Sequence, residues 1–138
     1  MTALDTNILI YSCDKSDPRR QQTALEIVSS SSDGVLLWQV ACEFVAASRK
    51  LAVDGFTTDQ AWERLAEYLE VFPLVLPSAA VLERAGILHR REGWSFGDAM
   101  IVAACVKAGV THLYSEDLPG RAAPAPLQVI NPFATGDL

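Results

Sequence analysis

Short apolar runs alternate with longer stretches of helical periodicity along this chain. The apolar runs have the length and composition of strands and lie at residues 3–11, 35–37, 72–76, 112–115 and 128–130. Pro73 makes the third run the weakest of these strands, because proline cannot donate a ladder hydrogen bond. Asp5, Thr6 and Asn7 interrupt the first run, so we expect it to end in a turn with polar side chains at its mouth.

The stretches between these runs carry apolar residues at spacings of three and four, which predicts amphipathic helices. Helix starts are marked by Asp17 before Pro18, by Thr57 three residues ahead of Gln60, and by Ser78. Residues 95–109 form the strongest helical segment, in which a broad apolar stripe ends at a glycine.

Two further helices follow from the same periodicity. Residues 40–51 form one of them, and Glu43 falls in its first turns. Residues 77–93 form the other. Its inward face is predicted to consist of Val81, Leu82, Ala85 and Leu88.

Strands that alternate with helices are typical of an α/β fold with a central parallel sheet and helices on both faces. Ligands of such folds bind at the carboxyl ends of the strands. Asp5 and Asp117 both stand where a predicted strand ends. Glu43 and Asp98 stand near the start of helices that begin at the same edge. Folding is therefore predicted to bring four carboxylates to one place.

Four carboxylates in one place indicate a metal site. Two carboxylates about 5 Å apart repel by roughly 3 kcal/mol at an effective dielectric near 20. A bound cation offsets that repulsion, and oxygen ligands suit hard divalent ions.

Composition and charge narrow the class of protein. A chain of 138 residues with 50% hydrophobic content suits one domain, spanning residues 1–138, with a sizeable core. A net charge of -6 argues against a generic surface for polyanions, since non-specific nucleic-acid binding depends on neutralising phosphates. Any contact with nucleic acid should therefore be local or mediated by a metal.

The cysteines and the hydropathy profile indicate a cytoplasmic protein. Cys13, Cys42 and Cys105 are an odd number, widely spaced, with no C-x-x-C pair or nearby histidine pair for zinc. We expect a reducing compartment. The sequence also contains no apolar stretch long enough to span a bilayer and no secretory signal at its start, so no membrane association is expected.

Five segments together resemble a known family. They are LDTNILIY at residues 4–11, QVACEF at 39–44, SFGDAMIVAA at 95–104, LYSEDL at 113–118 and VINPF at 129–133. In this order and at these separations the chain resembles a PIN domain, most closely the VapC-like toxins of bacterial and archaeal toxin–antitoxin pairs. The resemblance spans nearly the whole chain.

The resemblance implies a set of site residues. Asp5, Glu43, Asp98 and Asp117 would hold Mg²⁺ or Mn²⁺, with Asp5 and Asp98 as the principal ligands. The polar partners of these acids would be Thr6, Asn7 and Ser115.

The same resemblance implies an activity and partners. The expected reaction is metal-dependent hydrolysis of RNA phosphodiester bonds by an endoribonuclease toxin. The expected partners are an RNA substrate, a cognate antitoxin protein and a second copy of the chain in a homodimer. We also expect Arg121, in the loop after Asp117, to contact the RNA backbone.

Other interpretations compete with this one. Singly, Asp5 could be a turn residue and Asp98 an ordinary charge at a helix start. A phosphotransferase of the haloacid-dehalogenase kind would need an acid at position 7, where this chain has Asn7. A PIN-like domain that binds RNA or protein without cutting is the main alternative.

Three neighbouring residues are assigned outside the site. Glu116 adjoins Asp117, but adjacent strand residues alternate sides, so we expect its side chain to face away. Trp94 and Phe96 could stack an RNA base, although packing in the core is the expected role of both.

Overall fold

The structure is a computed structural model that describes residues 1–118 and 123–134. Within this range there are five strands: β1 (Thr2–Leu4), β2 (Gly34–Leu37), β3 (Leu74–Val75), β4 (His112–Tyr114) and β5 (Gln128–Ile130). The same range contains six α-helices: α1 (Thr6–Ser12), α2 (Pro18–Ser30), α3 (Trp38–Ala47), α4 (Thr58–Val71), α5 (Ala79–Arg91) and α6 (Phe96–Ala108). A 3₁₀ segment, Ser48–Asp54, follows α3.

The strands form one parallel sheet in the order β3-β2-β1-β4-β5. Thr2 of β1 pairs with Gly34 of β2 on one side and with His112 of β4 on the other. The chain moves outward from β1 to β3 and then returns across the sheet to β4. Helix α1 contacts α2 and α3, α3 contacts α4, and α5 contacts α6. The right-handed crossovers usual for parallel strands place α1 to α4 on one face and α5 and α6 on the other. The predicted α/β fold is confirmed, and the crevice expected where strand order reverses lies between β1 and β4.

Side chains cap the helices at the starts that the sequence predicts. Thr57 and Gln60 form a reciprocal capping box at α4, and the side chain of Asp17 accepts a hydrogen bond from the Arg20 amide at α2. Serines cap α5 and α6: Ser78 accepts from the Val81 amide and Ser95 from the Asp98 amide. These bonds satisfy amide groups that the first turn of a helix leaves unpaired.

The first apolar run is not one strand, which corrects the prediction for residues 3–11. β1 ends at Leu4, and Ile8, Leu9 and Ile10 belong to α1. Helix α1 packs against α2 and α3, so apolar residues at consecutive positions of α1 are buried. A short helix covered on several sides therefore has the continuous hydrophobicity of a buried strand.

Two smaller predictions about the helices are also wrong. The helix containing Glu43 becomes 3₁₀ at Ser48 instead of continuing to residue 51. Leu82 is 53% exposed, whereas Val81, Ala85 and Leu88 are buried as expected. Leu82 lies one residue after Val81, which is enough to turn a helical side chain toward the flank of the buried stripe.

The core lies between the sheet and the helices. Its largest fully buried side chains include Phe44 of α3, Ile8 and Leu9 of α1, and Leu113 of β4. The ring of Phe44 packs edge to face on Tyr68 of α4, with 5.5 Å between centroids. Among residues 1–118 and 123–134, no helix is long and apolar enough to cross a membrane.

Candidate functional site

Asp5 lies at the end of β1 and at the start of α1. Its Oδ1 accepts a hydrogen bond from the Thr6 amide at 2.7 Å, which caps the helix. Its Oδ2 accepts one from the Ser115 hydroxyl at 2.7 Å, across the junction with β4. The side chain is only 8% exposed. Burial raises the pKa of Asp5, the two hydrogen bonds oppose that rise, and the nearby charges of Glu43 and Asp98 add to it.

Glu43 reaches the same edge from the middle of α3. Its Oε1 accepts a hydrogen bond from the Thr6 hydroxyl at 2.8 Å, and its Oε2 accepts one from the Gln39 amide at 2.8 Å. Gln39 lies one turn earlier on α3 and also donates to the Gly97 carbonyl at 3.3 Å. Gln39 therefore links the Glu43 carboxylate to the first turn of α6.

Asp98 is the third residue of α6, directly after Gly97. Its amide donates to the capping Ser95 hydroxyl at 3.2 Å. Partial positive charge at a helix start favours a carboxylate there. The charge of Asp98 also acts on Asp5, where it contributes to the raised pKa of that carboxyl.

Asp117 is exposed and follows β4 after two residues. Its Oδ2 accepts a hydrogen bond from the Asn7 side-chain amide at 3.3 Å. The other atom of that amide, Asn7 Oδ1, accepts from the Glu116 backbone at 3.3 Å. Asn7 thus connects the first turn of α1 to the segment after β4.

Glu116 is directed away from these acids, as the sequence predicts. Its Oε1 accepts a hydrogen bond from the Tyr11 hydroxyl at 2.6 Å, and its Oε2 forms an ion pair with the Arg20 guanidinium at 2.9 Å. The bond to Glu116 raises the pKa of Tyr11 from its ordinary value of 10 to about 12, because the protonated phenol is the form that donates to the carboxylate.

All four predicted acids line one open cleft of about 500 Å³ at the carboxyl edge of the sheet. The lining residues are Asp5, Thr6, Asn7, Ile10, Glu43, Ala46, Ala47, Lys50, Asp98 and Asp117. Ser115 is buried beneath Asp5 and reaches the site through its hydroxyl. Arg121 lies outside the described residues.

The carboxylates share the cleft without forming a compact cluster. Within the described ranges, no three or more histidine, cysteine or acidic side chains are spaced to hold one ion. Neutral donors contact three of the acids: Thr6 and Ser115 at Asp5, Thr6 and Gln39 at Glu43, and Asn7 at Asp117. The spacing of the acids and their hydrogen bonds to neutral donors thus offset the repulsion between the carboxylates. The sequence pattern alone attributes that effect to a bound cation.

A comparison with protein-family models matches residues 2–118 to the PIN domain model. The chain belongs to the PIN domain family. A comparison with curated proteins gives no match.

Solved structures that resemble this PIN domain include proteins of toxin–antitoxin systems. A toxin–antitoxin complex from Klebsiella pneumoniae aligns with a TM-score of 0.68 at 19% identity, over 96% of this chain and 98% of that chain. VapC20 from Mycobacterium tuberculosis, a toxin that cleaves the sarcin–ricin loop, aligns with a TM-score of 0.66 at 20% identity, over 82% of this chain and 87% of that chain. FitAcB from Neisseria gonorrhoeae aligns with a TM-score of 0.63 at 17% identity, over 98% of this chain and 100% of that chain. At these identities the likeness establishes a shared fold.

Sequence reasoning missed two polar residues of this PIN domain's site: Gln39, which contacts Glu43 from outside the cleft lining, and Lys50, which lines the cleft. Gln39 carries a weak signal, because a glutamine four residues before a glutamate pairs with it on a helix face. Lys50 is the cation among the cleft-lining residues, and its position follows from the 3₁₀ segment, which the periodicity did not predict.

Phe96 corrects a further expectation. Trp94 is buried as predicted, but Phe96 is 50% exposed and packs edge to face on His89, with ring centroids 5.9 Å apart. Of these two residues, only Trp94 therefore packs in the core as predicted.

Proposed function

We propose that this PIN domain is a metal-dependent endoribonuclease that hydrolyses RNA phosphodiester bonds and acts as the toxin of a toxin–antitoxin pair. The observation that carries the proposal is the convergence of Asp5, Glu43, Asp98 and Asp117 on one open cleft at the strand-order reversal. In the proposal, residues 1–138 form one nuclease domain.

The donor set fits a hard divalent cation, Mg²⁺ or Mn²⁺. All four acids offer carboxylate oxygens, and an open cleft leaves room for water and substrate phosphate to complete the coordination. No three of the described acids are spaced to hold one ion, which is consistent with a site that relies on one or two carboxylates. In the proposal Asp5 and Asp98 are the principal ligands, and Glu43 and Asp117 position the metal or a water. When bound, the ion stabilises negative charge on phosphate oxygens and lowers the pKa of water.

The chain's own residues prepare the site. Thr6 donates to Asp5 through its amide and to Glu43 through its hydroxyl, so one residue orients both carboxylates. Each Glu43 oxygen accepts one hydrogen bond and keeps a lone pair that could take a proton from water. Lys50 places a positive charge beside the acids, where a phosphate of the substrate would be drawn.

The proposed partners are an antitoxin protein and a second copy of the chain. The similar structure from Klebsiella pneumoniae is a toxin–antitoxin complex. Large apolar side chains are exposed on or near α3 and α5, among them Trp38, Leu76, Leu82 and Ile87. Exposed apolar surface of this kind suits protein contacts. Co-purification with a small protein encoded beside it would support the antitoxin, and a monomer by light scattering would contradict the homodimer.

The decisive experiment is cleavage of total bacterial RNA by purified protein in Mg²⁺, Mn²⁺ or EDTA. Asp5→Asn and Asp98→Asn are run beside the wild type. Asp59→Asn is the matched control, because Asp59 also lies in the first turn of a helix but on α4, outside the cleft. The proposal expects discrete metal-dependent fragments that both site variants lose and the control retains.

The second candidate is a PIN-like domain that binds RNA or protein without cutting. It is favoured by the lack of a compact ligand group within residues 1–118 and 123–134. Metal or RNA binding by wild-type protein with no cleavage in any metal would select it. Arg121 stays a predicted RNA contact in either case, and unchanged RNA affinity in Arg121→Ala would remove it.

A further inference from the structure

A polar and aromatic cluster lies outside the cleft and joins four segments of the chain. Arg20 of α2 binds the Glu116 carboxylate through Nε at 3.0 Å and Nη2 at 2.9 Å, while the Tyr11 hydroxyl binds its other oxygen. The guanidinium carbon of Arg20 also lies 5.4 Å from the ring centroid of Tyr11 and 5.6 Å from that of Phe133. The two rings pack edge to face at 5.1 Å. Glu116 is therefore held at both oxygens.

The side chain of Asp117, the next residue, makes far weaker contacts than the side chain of Glu116. Its carboxylate is exposed and accepts a bond from Asn7 at 3.3 Å, which is long for an N–H···O bond. The same Asn7 side chain depends on the Glu116 amide for its other bond. The position of Asp117 in the cleft is therefore set by its backbone. The adjacent residues, Glu116 and Leu118, hold that backbone in place.

We propose that Arg20 and Tyr11 are positioning residues that hold Asp117 at the cleft through Glu116. This inference rests on the proposed nuclease function, in which Asp117 positions the metal or a water. Neither Arg20 nor Tyr11 lines the cleft.

The physical basis is the short covalent connection between Glu116 and Asp117. The anchored side chain and the acid belong to adjacent residues, so release of the Glu116 side chain loosens the segment between β4 and Leu118, which then keeps only its bonds through Asn7 and Ser115. A carboxylate displaced by about 1 Å can lower a rate by roughly a hundredfold. Partners that orient ligand residues typically contribute about 10- to 100-fold to metal affinity or activity.

The test is a double-mutant cycle between Arg20→Ala and Asp117→Asn. Mn²⁺ affinity is measured by calorimetry, and kcat and KM are measured on the RNA that the wild type cleaves. Arg19→Ala is the matched control, because Arg19 precedes Arg20 on α2 and is exposed. Tyr11→Phe removes one hydroxyl and keeps the ring, and Arg20→Lys keeps the charge without the fork, so both remain informative if Arg20→Ala folds poorly.

The inference expects Arg20→Ala to reproduce the loss caused by Asp117→Asn, about tenfold in Mn²⁺ affinity or in kcat. KM for RNA should stay unchanged. In the Asp117→Asn background Arg20→Ala should add less than about twofold, because residues that act through one another are not additive. Tyr11→Phe and Arg20→Lys should give intermediate losses, and Arg19→Ala none.

Two results would overturn the inference. One is Mn²⁺ affinity and kcat in Arg20→Ala equal to those of Arg19→Ala while Asp117→Asn is impaired. The other is a full Arg20→Ala loss that persists in the Asp117→Asn background, which indicates a general structural role. The proposed function fails separately, if Asp5→Asn and Asp98→Asn leave Mn²⁺ binding and cleavage unchanged.

Discussion

At the scale of single residues, Asp5 combines a structural and a chemical position. It caps α1 through one oxygen and joins Ser115 through the other, yet it is buried beside the charges of Glu43 and Asp98. Its hydrogen bonds stabilise the fold, whereas its charge opposes folding. A residue in this situation is retained for its chemistry more readily than for stability.

Asp5→Asn is expected to raise the melting temperature at pH 7 and to abolish the proposed cleavage. The pKa of Asp5 is raised in the folded protein, so wild-type stability falls as pH rises from about 3.8, the ordinary value, through the raised pKa. Asparagine has no charge and lacks this loss. Thermal melts from pH 3 to 8 should show the advantage of the variant at neutral pH and its disappearance at the acidic end. A variant less stable at every pH would show that the hydrogen bonds of Asp5 outweigh its charge.

Gln39→Ala is expected to weaken Mn²⁺ binding about tenfold, because it removes one of the two donors to the Glu43 carboxylate and the link to Gly97. Gln22→Ala is the matched control. Gln22 makes the same contact four residues along a helix, to Glu26 at 3.1 Å, but on the exposed side of α2. Calorimetry should separate the two variants. Equal affinities would mean that Glu43 needs no such support.

At the scale of elements, the site is assembled from places where strands end and helices begin. β1 leads into α1 at Asp5, and the serine cap of α6 places Asp98 in its first turn. Glu43 lies deeper in α3 and reaches the edge by the length of its side chain and the hold of Gln39. The integrity of helix starts therefore controls the geometry of the cleft.

The variants Ser95→Ala and Ser78→Ala distinguish the effect of a helix start on the cleft from its effect on overall stability. Each serine caps a helix of 13 residues through a 3.2 Å bond, so both variants should lose about 1 kcal/mol in urea unfolding. Only Ser95→Ala should also weaken Mn²⁺ binding, since its bond is made to the amide of Asp98. Equal metal affinities in the two variants would contradict the expected link between the cap and the site.

The sequence predicts the elements better than it predicts the contacts between them. The hydrogen bonds of a capping residue such as Thr57 span only three positions along the chain, so the local sequence predicts these helix starts correctly. The pattern predicts a strand at α1 because the burial of α1 depends on α2 and α3, and the sequence of α1 alone does not show those contacts. The bonds of Arg20 to Glu116 join positions 96 residues apart, and only the folded chain brings them together.

At the scale of the whole molecule, the protein has one core and a net charge of -6. Several of its acids face one cleft, where a divalent cation would relieve their mutual repulsion. Binding to the folded state alone stabilises a protein by mass action. Folding stability and metal concentration should therefore be coupled.

Mn²⁺ or Mg²⁺ is expected to raise the melting temperature, by an amount that corresponds to about 2.7 kcal/mol when the ion is at 100 times its dissociation constant. EDTA should reverse the rise. The combined variant Asp5→Asn with Asp98→Asn should lose it, whereas Asp59→Asn should keep it. A melting temperature that does not change when millimolar metal is added would count against a cation site in the cleft.

The central position of β1 also bears on how the protein is made. Residues 2–4 are synthesised well before their β4 partner, and they gain it only when residues 112–114 have been synthesised. Asp5 receives its bond from Ser115 at the same late stage, and Asp117 follows two residues later. The cleft is therefore complete only after the whole segment from Asp5 to Asp117 has been synthesised. A nascent chain with this topology cannot assemble the site before Asp117 has emerged, so the proposed nuclease would have no complete cleft until then.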